Sequence, residues 1–354
     1  MTNDARVGAW QGATAEGRML ALSVGDATVM IGGAALGLGR MTAIGGHAPA
    51  APPSAASSPT VTQFLNAANA EYVIGGVPAG MHAFTFLGVP VSYTTVFDGV
   101  SAQVWVTQQN QLVIAYQGTT GGEYLGVDPL AALSQIITDI GIYGGTTPPA
   151  EIDSLNFANF VVGLAKLEGY STSNIFLTGH SLGGIEAEYV AAKTGLGGIA
   201  FESTGLPAFA GEGAGSNFVN VVTYGDPVGN YASDIAGEQP FAAPYVAHGG
   251  KLPHYGNIVL VGNASDQTTL HNDVAKWGDG NIGDQAAVLG NLIGLLTDFH
   301  LPGTQAHDLG VTLNPYAAIV DGIGVQNSTV FNVGGDTIAQ LIAAASAHGN
   351  LLQG

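Results

Sequence analysis

The stretch NIFLTGHSLGGIEAEYVAAK, residues 174–193, changes its apolar period in the middle. Ile175-Phe176-Leu177 reads as a short buried strand, and from Ile185 the apolar residues recur at helical spacing. A strand that runs straight into a helix has few homes. It calls for a largely parallel sheet covered by helices, rather than a β-sandwich or a bundle. The flanks agree. Residues 61–73 (VTQFLNAANAEYV) predict a helix, 100–118 (VSAQVWVTQQNQLVIAYQG) a hairpin of alternating strands, and 155–170 (LNFANFVVGLAKLEGY) another helix. GGIAFEST and NFVNVVTYGD follow as two more short strands. The expected fold class is therefore α/β, with a mostly parallel sheet and helices on both faces.

The junction itself reads Gly179-His180-Ser181-Leu182-Gly183. With 54 glycines in 354 residues, the bare pattern G-x-S-x-G is weak evidence. Its position is stronger evidence, because it ends a strand and opens a helix as a nucleophile elbow does. Small residues on either side let the chain bend sharply, which leaves the Ser181 hydroxyl above the sheet. The helix N-terminus places amide donors next to any negative charge that develops there.

Composition narrows the chemistry. Acidic residues number 26 against 7 basic ones, a net charge of −19, and all three arginines (Arg6, Arg18, Arg40) lie in the first 40 residues. Such a field repels phosphate backbones and excludes nucleic acid as a partner; neutral substrates fit it better. With no cysteine, disulfides, thiol nucleophiles and thiolate metal sites are excluded.

A serine needs a base, and the base needs an acid to orient it. In an elbow-type sheet both follow the nucleophile in the chain, acid first. Asp226 is the preferred acid, just beyond the apolar run 218–222, with Asp266 a weaker rival. Of nine histidines, His180 adjoins the serine, His47 and His82 precede it, and His348 sits near the C-terminus. His248 and His254 lie close to Asp226 in sequence, and His271 remains open. The segment DFHLPGTQAHDLGVTLNPYAAIV holds the two best bases. His307 is preferred, as a loop histidine before a final apolar run (Leu309, Leu313, Tyr316, Ile319, Val320). His300 is the alternative, at the end of the apolar helical segment 286–299. Oxyanion donors are expected from Leu182, the residue after the nucleophile, and from Thr119 at the end of the strand in LVIAYQGTTGG. Residues 125–143, with Leu130, Leu133, Ile136, Ile137, Ile140 and Ile142, read either as an apolar lid or as an ordinary core helix.

Several of these segments, AYQGTTGG, LGVDPLAALSQIITDIGIYGG, IFLTGHSLGG, AFEST and VNVVTYGDPVGNYASDIAG, occur in one order over about residues 110–320. In this the chain resembles the bacterial lipases exported by type I secretion, a group that includes polyurethane-degrading esterases. The resemblance implies an α/β-hydrolase fold with a mobile helical lid, and carboxylic ester hydrolysis, chiefly of acylglycerols, through an acyl-enzyme. It matches Ser181, Asp226 and Thr119 to the family's nucleophile, acid and oxyanion residue. The family's H-L-P motif falls on His300 by its letters and on His307 by gap-free alignment. It also implies secretion and transient contact with a lipid interface. The chain departs from the family at Gln117, where the family has arginine, and in lacking the calcium-binding C-terminal repeats. Asp128 and Asp139 fall in the segment that carries the family's calcium ligands, but their spacing does not transfer, so no metal is assigned. The chemistry itself needs no cofactor.

The expected organisation is an N-terminal extension and Pro/Ala/Ser linker over 1–60, a catalytic domain over 61–325 and a C-terminal tail over 326–354. The apolar stretch 19–38 is broken by Asp26 and several glycines, so it reads as a loosely packed extension in preference to an export segment. The same triad would serve a phospholipase or polyesterase. From another class, a catalytically inactive hydrolase-like binding or surface protein is the competing reading.

Overall fold

A computed structural model describes residues 57–95, 100–118, 149–206, 215–232, 234–235, 252–278, 281–316 and 331–353, and the backbone of 8–14, 17–24 and 27–32. The N-terminal strands β1 (Gly8–Thr14), β2 (Gly17–Val24) and β3 (Ala27–Gly32) form an antiparallel meander of their own. The apolar run that opens at Met19 is thus divided between two strands. The proposed lid, Thr119, Asp128, Asp139, His47 and His248 all lie outside the described residues.

The main sheet is built after Ser58. Helix α1 (Val61–Ala70) starts from a capping box in which the Gln63 amide donates to Thr60 Oγ1 and the Thr60 amide donates to Gln63 Oε1. Strands β4 (Met81–Ala83) and β7 (Ser92–Thr94) share the outer edge of β8 (Ser101–Thr107), and β5 (Thr85–Phe86) and β6 (Val89–Pro90) form a small hairpin between them. β8 turns into β9 (Leu112–Tyr116) as the predicted hairpin. Helix α2 (Pro149–Leu167) leads to β10 (Ile175–His180), which feeds directly into α3 (Leu182–Thr194). Strands β11 (Gly197–Phe201), β12 (Phe218–Thr223) and β13 (Asn257–Val261) follow. Helices α4 (Gln267–Gly278), α5 (Ile282–Leu295), α6 (Pro302–Leu309) and α7 (Ile338–His348) precede a last strand, β14 (Leu351–Gln353).

Strands β9 to β13 lie side by side in chain order and are all parallel, with antiparallel β8 and β14 at the two ends of that block. This is a mixed, mostly parallel sheet flanked by helices. Period-2 alternation sends successive strand residues to opposite faces. Leu112, Ile114, Ile175 and Leu177 pack under α2 and α3, while Val113, Ala115 and Phe176 pack under α1, α6 and α7. Both faces are apolar, so the central strands are buried along their length.

The residues expected to form a C-terminal tail instead close one side of this sandwich. β14 pairs antiparallel with β13, and Leu341 and Ala345 of α7 are fully buried. The physical reason is β13, NIVLV, an apolar strand whose open edge and face must be covered. Among the described residues no helix is long and apolar enough to cross a membrane.

Candidate active site

The site is assembled at the C-terminal ends of the parallel strands, where open α/β sheets bind ligands. At the end of β10 the chain reverses at Ser181, which adopts φ 58° and ψ −127°. Such a backbone in a non-glycine residue costs on the order of 1–3 kcal/mol and persists only where its surroundings enforce it. Here they do. A methyl group on Gly179 would collide with the Gly183 carbonyl, and one on Gly183 would collide with the Tyr116 carbonyl at the end of β9. The Ser181 amide is tied across to the Phe201 carbonyl of β11 at 2.9 Å. Ser181 also holds the N-cap position of α3, where a serine hydroxyl ordinarily accepts from the first turn, yet it makes no such bond.

The hydroxyl is engaged elsewhere: His300 Nε2 stands 2.8 Å from Ser181 Oγ, and His300 Nδ1 stands 3.1 Å from each Asp226 carboxylate oxygen. The three side chains are almost wholly buried. Asp226 lies in the turn after β12. It accepts the Gly229 amide at 2.7 Å and the Val228 amide at 3.2 Å, which fix its carboxylate in the plane His300 needs. The turn is braced by Asn230, whose Nδ2 donates to the Thr223 and Asp226 carbonyls, and by Gln267 of α4, which donates to Asn230 Oδ1. Burial alone would raise the Asp226 pKa, but the His300 ring beside it and the donors around it hold it down at about 2.

His300 ends a π-helical turn, Leu296–His300, between α5 and α6. Pro302 at the first position of α6 and extended Leu301 break the helix there, so His300 becomes the junction residue that faces the sheet. His307, the histidine preferred on sequence, is not brought to the site. It lies in the last turn of α6, closed by left-handed Gly310, with its Nδ1 3.2 Å from Asp308. The apolar run after it does not continue as a helix through residues 310–316. Of the other residues weighed, Asp266 sits in a short 3₁₀ turn, His254 pairs with Asp234 at 3.0 Å, and His82, His271 and His348 are exposed.

Two residues that sequence reasoning did not assign a role complete the arrangement. The Tyr72 hydroxyl is 2.9 Å from His180 Nδ1 and lies against Gly118 at the end of the β9 segment, while His180 Nε2 is 2.6 Å from the His300 carbonyl. A carbonyl only accepts, so Nε2 carries the proton and Nδ1 accepts from Tyr72. Burial, and next the neighbouring His300, hold the His180 pKa down at about 3, consistent with a neutral ring. The second residue is Glu202, after β11, fully buried with φ 51°. Its Oε1 accepts the Thr223 amide at 2.8 Å and the Thr223 hydroxyl at 2.6 Å. The sequence hint for Glu202 is an acid directly after an apolar strand, as Asp226 is an acid in the turn beyond one; Tyr72 leaves no such hint.

Glu202, Asp226 and His300 bring ligand-type atoms within 4.8 Å of one another. Both His300 ring nitrogens are already engaged by Ser181 and Asp226, so the cluster is a hydrogen-bonded array and not a vacant donor set.

No family model matches the chain, and no curated protein matches it. Among solved structures, the extracellular lipase LipA from Serratia marcescens is 20% identical over 44% of this chain, with a TM-score of 0.30. The match spans 29% of that lipase. A likeness of that size carries no argument about activity, so the functional reading rests on the geometry.

Proposed function

We propose that this protein is a serine carboxylic-ester hydrolase that works through an acyl-enzyme. The observation that carries the reading is the His300 ring standing between Ser181 Oγ at 2.8 Å and the Asp226 carboxylate at 3.1 Å. In the first step His300 takes the hydroxyl proton as Ser181 Oγ attacks the ester carbonyl, and Asp226 keeps the proton on Nδ1 and stabilises the imidazolium. Positioned general-base action of this kind contributes about a hundredfold to ten-thousandfold in rate. The oxyanion is received by the Leu182 amide at the start of α3 and by the Thr119 amide next to Gly118. His300 then gives its proton to the leaving alcohol, and a water activated by the same ring releases the acid.

A neutral ester, with an acylglycerol as the leading case, suits a chain of net charge −19. The test is turnover of p-nitrophenyl esters of graded chain length. Hydrolysis abolished by Ser181→Ala is the expected result. A folded wild-type protein inert toward both short and long acyl chains would contradict the reading and favour a binding protein.

A further inference from the structure

Glu202 is the buried acid that the triad leaves unexplained. It directly follows β11, and Asp226 lies in the turn three residues after the neighbouring, hydrogen-bonded β12. One carboxylate oxygen, Oε1, is saturated by the amide and hydroxyl of Thr223. The other, Oε2, is buried and meets no donor among the described residues. It shares its surroundings with the triad acid, since a methyl group on Gly229 would meet both Glu202 Oε2 and, at 3.1 Å, Asp226 Oδ2. Two carboxylates this close and fully shielded from water cannot both be ionised; one keeps a proton and donates it to the other.

The donors decide which. Asp226 has the His300 ring and two backbone amides around it, all favouring a carboxylate. Among the described residues Glu202 accepts only from Thr223, and that on a single oxygen, so Oε2 is where a proton converts an orphan acceptor into a donor. We propose that Glu202 is a positioning residue of the active site, a neutral carboxylic acid whose Oε2–H donates to Asp226. In this arrangement the acid member of the triad is a carboxylate–carboxylic acid pair. The direction of the Glu202 shift agrees: burial first, then the charge of Asp226, push its pKa well above the carboxylate range. The donated bond fills the acceptor capacity that Asp226 has left and keeps its carboxylate from turning away from His300. Glu202 holds a positive φ, 51°, a conformation that surroundings must enforce and that clusters at functional sites.

This inference rests on the ester-hydrolase reading for its catalytic meaning, but the place of the proton can be measured without substrate. The experiment is an infrared difference spectrum at neutral pH of wild type minus Glu202→Gln, read in the carbonyl region of protonated carboxylic acids. It is paired with kcat for Glu202→Gln and Glu202→Leu on a p-nitrophenyl ester. The expected spectrum shows a protonated-carboxyl band lost in Glu202→Gln and retained in Asp226→Asn. Glutamine keeps the acceptor for Thr223 and a donor for Asp226, so its kcat should stay within about threefold of wild type, whereas leucine removes both and lowers kcat by about a hundredfold. A spectrum in which Glu202→Gln removes no such band, or a glutamine variant as impaired as the leucine one, would overturn the proposal. Should the wild type hydrolyse no ester at all, the enzyme reading fails while the spectrum still decides where the proton sits.

Discussion

Tyr72 is a single hydroxyl on which three segments converge: Gly118 beyond β9, His180 before the nucleophile, and, through the His180 ring, the His300 backbone. None of these bonds involves Ser181 Oγ, so Tyr72 and His180 hold the end of the β9 segment and the His300 segment in mutual register. Tyr72→Phe removes the hydroxyl and leaves a buried imidazole acceptor unpaired, a penalty of about 1–3 kcal/mol. The expected result in steady-state kinetics is a fall in kcat of about tenfold with KM little changed, because misplacement of the base by a fraction of an ångström is felt in the chemical step. A fall confined to KM would mean that Tyr72 contacts substrate instead.

At the scale of elements, the elbow depends on β10, β9 and α3 approaching closely enough for backbone to touch backbone. Gly183→Ala would push α3 away from the end of β9. Circular dichroism should report a folded chain of reduced melting temperature, and ester hydrolysis should fall far more steeply than stability. The same scale shows what was legible beforehand. The change from strand to helical period at Ser181 marks β10 and α3 with Ser181 at their junction, and the apolar run 218–222 marks β12 with Asp226 beyond it. The histidine was harder, because both candidates sat beside apolar stretches. What separates them is Pro302, which ends the preceding helix at His300, and Gly310, which keeps His307 inside α6. Chain order and the final apolar run favour His307, and the local stop at Pro302 outweighs both. The packing role of residues 331–353 was illegible for another reason: β14 is three residues long and α7 is short, and only the uncovered edge of β13 gives them a place. Leu341→Ala should therefore cost about 2–5 kcal/mol in denaturant unfolding, the range for a fully buried leucine. A loss below about 0.5 kcal/mol, the range of ordinary surface substitutions, would show that these residues are the loose tail the composition suggests.

At the scale of the whole molecule, protons link the buried acids to stability. Glu71 after α1, which accepts from Trp105 and Gln103, and Glu188 of α3, which accepts from Tyr255, are both pushed up to about 8, chiefly by burial. His254 is raised as well: burial opposes this, but its bond to Asp234 and the nearby Glu188 outweigh it. Each of these groups holds its proton more tightly folded than unfolded, so the stability it contributes is lost as pH rises. His180 runs the other way, with its folded pKa near 3, so its contribution grows with pH only up to the unfolded value of about 6.5. Between pH 6.5 and 8 the losses act alone. Each proton held by the native state but not the unfolded one changes stability by about 1.4 kcal/mol per pH unit. With Glu202 also holding its proton through this range, unfolding free energy should fall by roughly 4–6 kcal/mol across that window, and a flat or rising profile would mean these acids are ionised in the fold. The array of Ser181, His300 and Asp226 shares the same burial. Labelling with a fluorophosphonate, followed by peptide mass spectrometry, reads that array without any knowledge of the natural ester. Covalent label on Ser181 that forms at wild-type rate in His307→Ala, and about a hundredfold or more slower in His300→Ala, is the predicted result. Label absent from Ser181, or unaffected by loss of His300, would contradict the account.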